Sequence, residues 1–105
     1  MEKLLNIKLT SDTDSLEDKM LLNRVLGFAC GLLFIEQNMD IVNCMITTID
    51  EIHIFKDELV VVSNIPIWED EKDAFIKAWN NIKGLNSSDQ NVTFTAKSTW
   101  DDYYA

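Results

Sequence analysis

Hydrophobic periodicity in this chain switches from two to about 3.6 residues and back, twice, and that alternation constrains the fold more than any other feature. Lys3 to Thr10 puts Leu5, Ile7 and Leu9 on one side and Asn6 and Lys8 on the other, the signature of a strand with one buried face. From Leu16 to about Gln37 the apolar positions Leu22, Leu26, Ala29, Leu33 and Ile35 recur at helical spacing, with Leu21, Val25, Phe28 and Leu32 in a second row. Such a wide stripe predicts a helix mostly buried in its second half. Ser15 as N-cap, with Asp18 three residues on, approximates a capping box at its start.

Glu51 to Phe55 alternates again, Lys56-Asp57-Glu58 reads as a hairpin loop, and Leu59-Val60-Val61-Val62 follows as a strand whose unbroken apolar run suits a central position. Pro66 breaks the chain before a second helix over Glu69–Lys83, where Phe75, Ala78, Trp79 and Ile82 form an apolar stripe. Glu69, Asp70 and Glu71 fall in its first turn, where negative charge complements the helix dipole. Gly84 then reads as its C-terminal cap. Val92, Phe94 and Ala96 alternate with Thr93, Thr95 and Lys97 in a last strand.

The predicted order is β-α-β-β-α-β in a chain of 105 residues, the length of one domain spanning residues 1–105. Right-handed crossovers place both helices on one face of an antiparallel sheet, giving an α+β, ferredoxin-like arrangement. The stretch 41–49 reads either as the start of the following strand or as an extra strand of its own, which would add a member to the sheet. Gly27 and Gly31, four apart on the helix, predict a close approach to another backbone.

Functional motifs are scarce. His53 is the only histidine, and no serine or cysteine sits in a nucleophile-elbow context beside it. Asp12-Thr13-Asp14-Ser15-Leu16 begins like a calcium loop and fails at Leu16, so helix capping explains it better. The three glycines are isolated and form no phosphate-binding loop. Cys30 and Cys44 lie in apolar stretches and read as buried free thiols of a reducing compartment. The longest uncharged run, Val25 to Ile35, is too short to span a bilayer, and acidic residues precede it, so neither an anchor nor a signal peptide is expected. The sequons at Asn86 and Asn91 then carry no meaning, and a cytoplasmic location is expected. No catalytic residue, cofactor or metal site is predicted.

Charge is more informative. Eighteen acidic residues against nine basic ones give a formal net charge of −9, which disfavours nucleic acid and anionic membranes and favours basic partners. Aromatics meet this charge at two places: Trp68 with Glu69, Asp70, Glu71 and Asp73, and Trp100 with Asp101, Asp102, Tyr103 and Tyr104. Interface hot spots are enriched in Trp and Tyr, and surrounding carboxylates steer a cationic partner. These ten residues are the candidate partner-binding site, unless Trp68 staples the second helix to the sheet and Trp100 closes an edge of the core. The function expected is a non-catalytic acidic binding protein, an immunity protein or antitoxin that occludes the active site of a basic, nuclease-type toxin. A phage-encoded inhibitor that mimics DNA is a close variant. The rival from another class is a structural or regulatory domain that self-associates through an open sheet face carrying Phe55, Val60 and Val62. Monomer and homodimer both remain open.

Overall fold

The computed structural model describes residues 7–36, 48–84, 91–99 and 101–102. The expected strand residues 3–6, most of the ambiguous stretch 41–49, Cys44, Trp100, Tyr103 and Tyr104 lie outside them. Six elements follow in the expected order: β1 (Lys8–Ser11), α1 (Leu16–Glu36), β2 (Ile49–Phe55), β3 (Glu58–Ser63), α2 (Glu69–Lys83) and β4 (Val92–Ala96). The fold is α+β, a four-stranded mixed sheet with two helices.

The sheet order is β1-β2-β3-β4. β1 pairs with β2 in parallel, β2 with β3 antiparallel, and β3 with β4 in parallel. This corrects the antiparallel, ferredoxin-like expectation, which would interleave the two β-α-β units. Here each unit keeps its strands adjacent, and the hairpin joins the units at the centre. The physical reason lies in strand composition. β3 carries the unbroken apolar run Leu59–Val62, and the longer β2 places Ile49, Ile52 and Ile54 in the core; these two take the positions paired on both sides. The shorter β1 and β4, with Lys8, Thr10, Thr93 and Thr95, take the edges, where polar side chains discourage further pairing.

α1 packs directly on α2, and one core cluster contains both helices and both central strands, so the helices share one face of the sheet. The two crossovers step the same way across the sheet although their strands run in opposite directions. They therefore have opposite hands, and one is left-handed, against a rule that holds in about 98% of such connections.

Register separates the sheet faces cleanly. Leu9, Ile52, Val61 and Phe94 form one cross-strand row, and Ser11, Ile54, Leu59 and Val92 the next. Ile52, Ile54, Leu59 and Val61 are buried against Leu22, Val25, Ala29 and Leu33 of α1 and Ala74, Phe75, Ala78 and Trp79 of α2. The opposite face carries Thr10, His53, Val60 and Thr93 in one row and Lys8, Glu51, Val62 and Thr95 in the other. The hairpin turn is two residues long, with Lys56 and Asp57 both at positive φ (51° and 64°), the conformation that matches the twist of the flanking strands. Phe75 meets Phe94 edge-on at 6.4 Å, joining α2 to the edge strand.

The start of α1 is built as expected. Ser15 Oγ accepts the Asp18 N–H at 3.1 Å, and the Asp18 carboxylate accepts the Thr13 hydroxyl at 2.6 Å and the Ser11 hydroxyl at 3.1 Å. The second half of α1 departs from expectation. Its inner face is fully buried, but Phe28, Phe34 and Ile35 are exposed, and a Cβ on Gly27 or Gly31 would meet nothing within 4 Å. Among the described residues, neither glycine serves a close approach.

Candidate functional site

The two acidic-aromatic segments leave the sheet from the same end. β3 runs through Ser63 and Asn64 into Trp68, which starts α2 in an extended conformation (φ −68°, ψ 155°). β4 leads into the tail, which stays bound to that connection: Lys97 N–H donates to Ser63 O at 2.8 Å, Ser98 N–H to Asn64 O at 3.0 Å, and Ser98 Oγ to the same oxygen at 2.6 Å. Parallel pairing of β3 with β4 is what puts both carboxyl ends side by side. In the expected antiparallel order they would not be neighbours.

Asp50, at the start of β2, ties this end together. It accepts Asn64 Nδ2 at 3.0 Å and pairs with Lys97 Nζ at 2.9 Å. The hydrogen bond from Lys97 to Asp50 holds the ammonium above the usual lysine value, with the Asp50 charge adding to it. Lys97 is thereby engaged inside the protein at the base of the tail.

Of the ten candidate residues, Trp68 is 55% exposed, so it does not staple α2 into the core. Glu69, Asp70 and Asp73 are exposed on α2, with Glu69 3.5 Å from Lys72. Asp101 and Asp102 are exposed as well. Asp102 also acts locally. Its N–H donates to Thr99 Oγ1 at 3.1 Å while its carboxylate accepts Thr99 N–H at 3.3 Å, a reciprocal cap that fixes the tail. Glu71 is a correction, because its side chain is 0% exposed and cannot meet a partner. The sequence held the signal for this. Glu71 stands four residues before Phe75 and continues the buried stripe through Ala78 and Ile82. Trp100, Tyr103 and Tyr104 lie outside the described residues.

A second cluster, not singled out in the sequence, lies on the open sheet face. Thr10 and His53 are direct cross-strand partners, and Thr10 Oγ1 hydrogen-bonds His53 Nδ1. His53 Nε2 stands 3.7 Å from Glu51 Oε2 on the same strand face. Beside them Thr10, Ser11, Asp12, His53, Ile54, Phe55 and Val60 line an open depression of about 460 Å³. Sheet register alone produces this contact, since residues opposite each other on one face bring their side chains together. The contact orders β1 against β2, as do Asp12 N–H to Ile54 O at 3.0 Å and Lys56 N–H to Asp12 Oδ2 at 3.1 Å.

The open sheet face mixes apolar with polar and charged side chains. Val60 and Val62 are half-buried among Lys8, Glu51, His53 and threonines, and only Phe55, with Lys56 Nζ 5.3 Å from its ring, is widely exposed. Among the described residues no group of three or more His, Cys, Asp or Glu could hold a metal ion, and no helix is long and apolar enough to cross a membrane. Cys30 forms no disulfide. No family model, curated protein or solved structure matches this chain.

Proposed function

We propose that this chain is a non-catalytic acidic binding protein, of the immunity-protein or antitoxin kind, that grips a basic protein with the sheet end formed by the start of α2 and the tail after β4. The observation that carries the reading is the exposed Trp68 indole set directly before Glu69 and Asp70, beside a tail bearing Asp101 and Asp102. A large aromatic supplies buried area in a complex, and the carboxylates around it supply orientation and a fast encounter. A nuclease active site is basic because it holds phosphate, so an acidic plug of this kind complements it. The net charge of −9 adds long-range steering to the same effect. The DNA-mimic variant uses the same carboxylates and the same class of target.

Affinity capture tests the reading. The immobilised chain, exposed at low salt to a lysate of its source cells, should retain a basic protein. Joint substitution Trp68→Ala, Glu69→Lys and Asp70→Lys should abolish retention. Asp57→Lys with Glu58→Lys, which changes the charge equally at the hairpin, should leave most of it. Equal loss in both variants would mean that bulk charge alone attracts the partner, and the proposed site would be wrong.

A further inference from the structure

We propose that the outer edge of β4 docks a second copy of this chain, the two β4 strands pairing antiparallel about a two-fold axis at Phe94 to make one continuous sheet. Leu59 N–H donates to Asn91 O at 2.9 Å and Lys97 N–H to Ser63 O at 2.8 Å, and the register sets Leu59 beside Val92 and Val61 beside Phe94. In a parallel ladder this fixes the direction of every backbone group. Asn91, Thr93, Thr95 and Lys97 turn theirs toward β3, and Val92, Phe94 and Ala96 turn theirs outward. Among the described residues, no group on the outer side bonds these three N–H and three C=O groups.

Edge strands are ordinarily guarded by charge, proline, a bulge or a covering loop. β1, at the opposite edge, is guarded twice: Lys8 is exposed on it, and the Ser11 C=O accepts the Asp14 N–H of the following loop at 3.4 Å. β4 has no such guard. Asn91 to Ala96 carries neither charge nor proline, and its ladder with β3 runs without a register shift. The ammonium of Lys97, just beyond the strand, is held by Asp50 at 2.9 Å. The threonines discourage indiscriminate pairing, but threonine is a strong strand former and pairs well with itself across strands.

A second copy fits this edge because the strand is self-complementary. With Phe94 on the axis, Val92 lies opposite Ala96 of the other copy, Thr93 opposite Thr95, and Asn91 opposite Lys97. The outward groups of Val92, Phe94 and Ala96 then meet their counterparts in hydrogen-bonded pairs. Thr93 and Thr95 pair on the open face, and the two half-buried Phe94 side chains meet on the core face. Glu58 neighbours Asn91 across the β3–β4 ladder, so Lys97 of each copy comes within reach of Glu58 of the other. Two chains that each carry −9 repel, and an uncharged strand is where they can meet. A basic partner finds no carboxylate between Asn91 and Ala96. Main-chain bonds rather than a large apolar area hold such an interface, so it is weak and reversible. It uses none of the residues proposed above to grip a basic protein, so either proposal can fail without the other.

Sedimentation velocity and NMR on the full chain between about 10 µM and 1 mM should show a dimer that dissociates on dilution, with a dissociation constant of roughly tens to hundreds of micromolar. Hydrogen exchange at the Val92, Phe94 and Ala96 amides should slow as concentration rises, while the Thr93 and Thr95 amides stay protected throughout. Ala96→Pro removes an outward N–H that β3 does not use, and should raise the dissociation constant at least about 10-fold without unfolding the chain. Thr93→Lys with Thr95→Lys, both at exposed positions, should be monomeric, as should Thr93→Glu with Thr95→Glu. Mixed together, these two variants should form a heterodimer, which damage to the fold could not produce. Phe34→Glu, on the exposed face of α1, should leave the dimer unchanged. A chain monomeric at about 1 mM, which would leave the edge to a foreign strand, would overturn the proposal. So would exchange at the three outward amides that ignores concentration, or a dimer that survives Ala96→Pro and yields to Phe34→Glu.

Discussion

Replacing Asn80 by leucine should stabilise this protein, although it removes a polar side chain from a helix. Asn80 is 5% exposed near the end of α2, and neither its amide nitrogen nor its amide oxygen makes a hydrogen bond among the described residues. Burying an amide without partners costs about 1–3 kcal/mol. Leucine has nearly the same length, removes that cost, and is a better helix former by a few tenths of a kcal/mol. Imperfect fit of the branched end takes back up to about 1.5 kcal/mol. The balance is a gain of about 1–2 kcal/mol. For a chain of this size that raises the melting temperature by roughly 4–8 °C per kcal/mol. Urea titration should show a higher midpoint with an unchanged slope, since the surface exposed on unfolding hardly changes. Asn80→Asp provides the opposite sign, because it places a charge where the amide has no partner. The backbone carbonyl of Asn80, which helps to hold the Gly84 cap, is untouched in both variants. If Asn80→Leu destabilises while Asn80→Asp is neutral, the amide faces water or a partner and the reasoning fails.

Three further outcomes can be measured. Trp79→Ala removes the largest fully buried side chain and should cost about 3–5 kcal/mol, read by chemical denaturation; a cost below about 1 kcal/mol would show that Trp79 is not central to the core. Gly84→Ala should cost about 1 kcal/mol, because φ is +70° there and no neighbouring atom obstructs a Cβ, so the penalty is conformational alone; Gly84→Asn should cost less. The hydrogen bond from Thr13, joined by that from Ser11, holds the Asp18 carboxyl below its usual value of 3.8. Its stabilising effect is therefore present above that value and disappears as the pH falls through the lower folded value. The difference in melting temperature between the wild type and Asp18→Asn should be steady from about pH 5 to 7 and close in acid, and a difference that persists unchanged at about pH 2.5 would contradict this.

Local structure was largely legible in the sequence, because it depends on neighbours along the chain. The Ser15 cap, the start of α1 at Leu16, α2 over Glu69–Lys83 and the cap at Gly84 follow from side-chain chemistry within a turn or two. Strand order was not legible, because it depends on which strands meet across long separations. Ordinary crossover handedness favours interleaved units, whereas here the hairpin of β2 and β3 takes the centre, with the unbroken apolar run of β3 paired on both sides. The same limit affected α1. Both apolar rows turn inward, with Leu22, Ala29 and Leu33 of one and Val25 of the other buried, while Phe28 and Ile35 at their edges meet solvent. At the candidate site, the exposure of Trp68, Glu69 and Asp70 follows from their place before and within the first turn. Glu71 shares the charge of its acidic neighbours but stands four residues before Phe75, and that spacing decides its burial. The Thr10–His53 contact was invisible without the register of β1 against β2.

The most direct test of the acidic-grip account is the salt dependence of association with the captured basic partner. Stopped-flow or surface-based kinetics between about 50 and 500 mM salt should show an association rate that falls by at least about 10-fold while the dissociation rate changes little. Trp68→Ala should do the reverse, raising the dissociation rate at least about 10-fold with a nearly unchanged association rate. An association rate indifferent to salt, together with a complex indifferent to the loss of Trp68, would contradict the account.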